Sequence, residues 1–200
     1  MLNLILFGAP GSGKGTQSAK LIDQFGLFHI STGEVLRDHI ARGTELGKIA
    51  NTYISKGNLI PDDLIIDIIE HVIDNEAKDS KGVVFDGFPR TIPQAEALKT
   101  LLEKRGHKVD AVIGLEVPEE ELIERLLLRG KDSGRADDNL DVIRQRLEVY
   151  HNQTHPLKDF YITEGNYLPV EGSGNVDDIF NSIAEGIEKA TGKIRRSHKK

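Results

Sequence analysis

Cysteine and tryptophan are both missing from the 200 residues, and methionine occurs once. Without cysteine there can be no disulfide and no thiolate metal site, and the chain fits a reducing compartment. No run of 18 apolar residues occurs, so no membrane-spanning helix is expected. The opening MLNLILFGAPGSGKGT has no basic stretch ahead of its short apolar run, so it does not read as a secretory leader. Positive charge is in deficit: 26 Lys and Arg face 32 Asp and Glu, a net of −6. That balance argues against bulk nucleic-acid binding. It is also uneven. Lys189, Lys193, Arg195, Arg196, Lys199 and Lys200 follow Glu188 without an acid among them, which leaves the rest of the chain at −12. Residues 191–200 read as a basic, solvated, disordered tail.

The 38% of apolar residues suffice for a sizeable core, and the length suits one domain. Leu2 to Phe7 is apolar except at Asn3, as in a strand buried on both faces. Further strands are expected at 28–30, 82–85, 109–117 and 167–170. Helices are expected at 16–25, 33–42, 44–55, 61–75, 92–104, 118–129, 140–160 and 176–190. Ser31 and Glu34 have capping-box spacing, and Pro61-Asp62-Asp63 is a helix start with acids near the dipole's positive end. Residues 130–138 read as a polar loop. This alternation predicts an α/β, doubly wound, five-stranded parallel sheet. Extra helices between the second and third strands, and the 130–138 loop, are placed as ligand lids often are.

Gly8-x-x-x-x-Gly13-Lys14 lies between the first strand and the first helix, as the phosphate-loop pattern requires. Backbone N–H groups at a helix N-terminus point at phosphate, glycines allow close approach, and Lys14 adds a full charge. The residue after Lys14 is Gly15, so the hydroxyl comes one place later than in a GTPase, at Thr16. Further motifs lie near the expected carboxyl ends of strands. They are Ser31-Thr32-Gly33 with Arg37, Asp86-Gly87-Phe88-Pro89-Arg90 with Gln94, Arg125 with Arg129, and Ser133-Gly134-Arg135-Ala136-Asp137-Asp138 with Arg144 and Arg146. Ligands of doubly wound sheets bind at those ends. So many arginines in an acidic chain imply more anionic oxygen than one nucleoside triphosphate presents, and guanidiniums suit phosphate.

In order and spacing, GAPGSGKGT, ISTGEVLR, DGFPRTIPQA, SGRADDN and IRQRLEVYHNQTHPL closely resemble the adenylate kinase family, in its short-lid form, over about residues 1–190. The resemblance implies reversible phosphoryl transfer from MgATP to AMP, giving two ADP. It implies a helical AMP-binding insertion at 31–60 and a short lid at 129–138. ATP would be bound by Gly11, Ser12, Gly13, Lys14, Gly15, Thr16, Arg125, Arg129 and Gly174. AMP would be bound by Thr32, Arg37, Asn58, Leu59, Ile60, Gly87, Phe88, Pro89, Arg90, Gln94, Arg135 and Arg146. Lys14, Arg90, Arg125, Arg135 and Arg146 would stabilise the transferred group. Asp86 and Thr16 would meet magnesium through water, and Asp137 would belong to the closed lid. The cofactor implied is Mg2+ with ATP. Zinc is not expected, because residues 129–135 are too short for the longer cysteine-ligated lid. A cytoplasmic monomer without nucleic-acid or membrane partners is implied.

The AMP phosphate is a dianion near neutral pH, so transfer needs no general base. His29, His39, His71, His151 and His155 are read as structural or surface groups. Thr32 with Gln94 resembles the adenine-selective pattern, since a Gln amide offers a donor and an acceptor together. Two alternatives remain open on sequence. One is a kinase of UMP or CMP. The other is a nucleotide-binding switch protein without turnover.

Overall fold

The computed structural model describes residues 1–193. Strands β1 (Leu2–Gly8), β2 (Phe28–Ser31), β3 (Gly82–Asp86), β4 (Ala111–Glu116) and β5 (Tyr167–Glu171) form one sheet in the order β2-β3-β1-β4-β5. Every neighbouring pair is parallel. The doubly wound, five-stranded parallel sheet expected from the sequence is the sheet observed.

Alternate residues of the buried strands enter different cores, because successive side chains point to opposite faces. Ile5 and Phe7 of β1 join Val83 and Phe85 of β3 on one face. Leu2, Leu4 and Leu6 join Val84 and Ile113 on the other. The first face is covered by α4 (Asp62–Asn75), α5 (Ile92–Glu103) and α8 (Leu157–Thr163), through Ile65, Ile69, Leu98 and Leu157. The second is covered by α1 (Lys14–Phe25) and α9 (Val176–Thr191), through Leu21, Phe25, Ile183 and Ile187. Asn3, the polar interruption of β1, is buried; its amide donates to the Lys108 carbonyl at 2.9 Å, and its backbone N–H donates to Asp110 at 2.8 Å. Helices α2 (Thr32–Ala41) and α3 (Glu45–Ile54) lie between β2 and α4. Ser31 caps α2, accepting from the Glu34 N–H as its spacing predicts.

Four local expectations are corrected. The first helix starts at Lys14 rather than residue 16, directly after Gly13. Helix α6 (Glu119–Ser133) does not stop at Arg129. Gly130 stays helical, and the helix ends where Gly134 takes a left-handed conformation and its N–H reaches the Gly130 carbonyl. Only 134–139 remain as loop. The helix expected over 140–160 is two helices, α7 (Leu140–Val149) and α8, joined by a wider π-type turn at Tyr150–Thr154. Pro156 has no N–H to continue the ladder there. Finally, the expected tail starts too early: α9 extends to Thr191, and Lys193 donates to the Met1 carbonyl at 2.8 Å. Residues 194–200, the rest of that tail, lie outside the described residues.

Candidate active site

The carboxyl ends of β1 and β3 open onto two adjoining cavities. The first is lined by Thr32, Arg37, Asn58, Leu59, Ile60, Gly87, Pro89, Arg90, Gln94, Arg135, Asp137 and Arg146, among others. The second is lined by the loop from Pro10 to Thr16, with Asp86, Arg125, Arg129 and Gly174. Lys14, Arg37, Arg90, Arg135 and Arg146 line both.

The loop's shape follows from its glycines. Gly11 has φ +84, and a Cβ there would lie 2.9 Å from Leu126 Cγ and 3.0 Å from the Leu122 carbonyl. Both the left-handed backbone and the close approach to α6 require glycine. Lys14 folds back over the loop and donates to the Gly8 and Ala9 carbonyls, each at 3.0 Å. Burial pushes its ammonium down to about 8, against the opposing pull of Asp86. At Asp86 burial alone would raise the carboxyl. The adjacent His29 ring and the Lys14 charge outweigh burial and hold it below the usual range. His29 Nε2 lies 3.5 Å from Asp86 Oδ2, so this histidine, read as structural, supports a site residue.

Five arginines crowd the junction. Arg90 is pushed down to about 10 by burial and then by the charge of Arg146, and it stays protonated at neutral pH. Arg37 and Arg146 are lowered as well, by burial first and then by the charge of Arg135. Like charges held around a common opening form a site for a strongly anionic ligand. Two aspartates partly neutralise them. Asp138, whose side chain is fully buried, takes Arg129 in a bidentate pair at 2.6 and 2.8 Å and Arg146 at 2.9 Å. Asp137 takes Arg135 at 2.7 Å and Arg146 at 3.2 Å. Burial works to raise the Asp137 carboxyl, but the Arg135 hydrogen bond and the Arg146 charge hold it at about 2.

The adenylate kinase family model matches residues 6–166. An adenylate kinase of Bacteroides thetaiotaomicron is 59% identical over 189 residues, covering 94% of this chain and 100% of that protein. One of Parabacteroides distasonis is 57% identical over 187 residues, covering 94% and 98%. One of Maricaulis maris is 47% identical over 188 residues, covering 94% and 100%. This chain belongs to the adenylate kinase family.

Within this adenylate kinase family member, nearly every residue expected at the site lines one of the two cavities. Phe88 does not. Its side chain is 1% exposed and lies in the core, which leaves only its backbone near the cavity. Arg144 is exposed on α7 and lines neither cavity. Arg125 reaches the loop from α6. It donates to the Gly172 carbonyl at 2.9 Å and pairs with Glu121, which is also held by Ser173. Gly87 has φ +80, and a Cβ there would lie 2.7 Å from Arg90 Nη2 and 2.9 Å from Thr32 Oγ1. Its carbonyl accepts from both side chains, at 2.8 Å from Thr32 and 2.7 Å from Arg90.

Thr154 lines the first cavity without having been expected there, and Glu121, Asp62 and Asp138 hold cavity-lining side chains without lining either cavity themselves. Thr154, placed by the π-type turn, donates to the Arg90 carbonyl at 2.8 Å. Asp138 had one visible signal, as the second of two acids set among arginines. Among the described residues no cluster of three His, Asp or Glu could cage a metal. Asp86 and the exposed Thr16 both line the phosphate-loop cavity. One carboxylate and one hydroxyl fit a magnesium ion that keeps its waters and is held chiefly by phosphate oxygens.

Proposed function

We propose that this enzyme holds MgATP in the phosphate-loop cavity and AMP in the adjoining one. The γ-phosphoryl passes in line between them, giving two ADP in a reversible reaction. The observation that carries this reading is the shared wall. Lys14, Arg37, Arg90, Arg135 and Arg146 line both cavities, where a transferred phosphoryl group would sit between donor and acceptor.

The AMP phosphate is the nucleophile and is already a dianion, so no side chain has to remove a proton. The barrier is then positioning and charge. Arg90, fixed by the Gly87 carbonyl, orients the acceptor phosphate. Lys14 and Arg125 hold the donor phosphates at the α1 N-terminus. Arg135 and Arg146 close over the equatorial oxygens. Asp86 and Thr16, on the wall of the phosphate-loop cavity, would meet the waters of a magnesium ion carried with ATP, which would supply neutralising charge. Residues 31–60 act as a mobile AMP-binding unit, and 129–138 as a lid that excludes water. Thr32 and Gln94 face the adenine. A cytoplasmic monomer that binds neither nucleic acid nor membrane completes the reading; the family, the −6 charge and the missing cysteines support it.

Truncating the arginines tests these roles. Removing one preorganised contact to transition-state charge costs roughly 3–4 kcal/mol, or two to three decades in rate. Arg90→Ala, Arg125→Ala and Arg135→Ala should each lose at least about tenfold in kcat/KM, with circular dichroism unchanged. Full turnover in all three would refute the assignment.

A further inference from the structure

The Gln94 side chain is only 2% exposed, yet it lines the cavity assigned to AMP. Its two ends are held by partners of opposite kind. The Arg90 backbone N–H lies 2.8 Å from Oε1 and can only donate. Asp62 Oδ1 lies 2.8 Å from Nε2 and, as a carboxylate oxygen, can only accept. The same Asp62 oxygen accepts from Thr91 Oγ1 at 2.9 Å. Turning the amide over would set N–H against N–H and carbonyl against carboxylate, and both hydrogen bonds of this buried side chain would be lost. Asp62 stands in the first turn of α4, where its sequence context suggests no more than a favourable charge at a helix start. Its hydrogen bonds run across to the start of α5 instead.

We propose that Asp62 is a positioning residue for base selection. It fixes which way round Gln94 presents its amide and thereby favours adenine over 6-oxopurines. This rests on the reading above that Gln94 meets the base. Held by Asp62 and the Arg90 N–H, the amide has one N–H and one oxygen lone pair left over. An adenine edge pairs with these, since its 6-amino group donates and the neighbouring ring nitrogen accepts. Hypoxanthine reverses both roles on its N1 edge at the same size and shape. Only an amide free to turn over could serve it.

The test compares AMP with IMP as acceptors, using the full-length enzyme with saturating MgATP. The variants are Asp62→Asn, Asp62→Ser and Gln94→Leu. Asn and Ser can each donate as well as accept, so both free the Nε2 end of the amide and leave the Arg90 N–H as the one contact of fixed polarity; the second keeps the test available if the first folds poorly. The expected result for both is an AMP KM raised about tenfold. The ratio of kcat/KM for AMP over IMP should fall at least as far, with kcat and the ATP KM within about threefold of the parent. A structural lesion alone would not single out the AMP KM and the AMP/IMP ratio. An unchanged ratio in both Asp62 variants, or an equal loss across kcat and both KM values, overturns the proposal. Gln94→Leu separates the two levels. If it leaves the ratio intact, the reading of Gln94 falls and the role of Asp62 with it. If it collapses the ratio while the Asp62 variants do not, only the Asp62 proposal falls.

Discussion

Lys14 connects ATP binding to pH. The ligand-free ammonium is buried among Arg90, Arg129 and Arg146, with Asp86 as its counterweight, and is pushed down to about 8. A triphosphate over the loop adds negative charge beside it and restores the protonated form as the preferred one. The complex therefore binds more protons than the free enzyme, and ATP affinity falls as pH rises through about 8. If the bound lysine stays charged, moving from pH 7 to pH 9 weakens ATP binding about tenfold, or about 1.4 kcal/mol. At pH 8 roughly half a proton is taken up per ATP bound. Titration calorimetry in buffers of different ionisation heat measures both quantities. Lys14→Arg is the control, because a guanidinium stays charged throughout and should give a flat profile over this range. Wild-type affinity that does not change from pH 7 to 9, with no proton uptake at pH 8, would refute this account of Lys14.

Asp138→Asn removes the buried acid shared by Arg129 and Arg146. Stability should fall by roughly 3 kcal/mol, the low end for a broken buried pair, because Asp137 still faces Arg135 and Arg146. The freed guanidiniums should then raise the ATP-induced gain in Tm above the parent's, which thermal unfolding with and without ATP would show. On helix α6, Leu126 is 0% exposed beneath the phosphate loop, whereas Leu128, two residues on, is 61% exposed. Leu126→Ala should cost roughly 2–5 kcal/mol in urea unfolding and Leu128→Ala within about 0.5 kcal/mol, so equal costs would contradict the packing described.

What was legible along the chain was local. The apolar run of β1, the glycines before Lys14 and the Ser31–Glu34 spacing are patterns of neighbours, and each became the element expected. The phosphate loop and the arginines followed because strand ends in a parallel sheet converge. Features set by long-range partners did not show. Asp62 looks like an ordinary helix start until it is seen beside Gln94, 32 residues away. The end of α6 depended on a glycine that remains helical and another, four residues later, that does not. Phe88 sits inside the motif expected to bind AMP, yet its side chain fills the core. The π-type turn that brings Thr154 to Arg90 has only Pro156 as a local sign.

The most direct measurement is product analysis with MgATP mixed in turn with AMP, UMP, CMP and GMP, and with no acceptor. The account predicts rapid ADP formation with AMP alone and negligible ATP loss without it. Comparable transfer to UMP or CMP would contradict the base assignment. ATP bound tightly but passed to no acceptor would contradict the phosphotransferase itself.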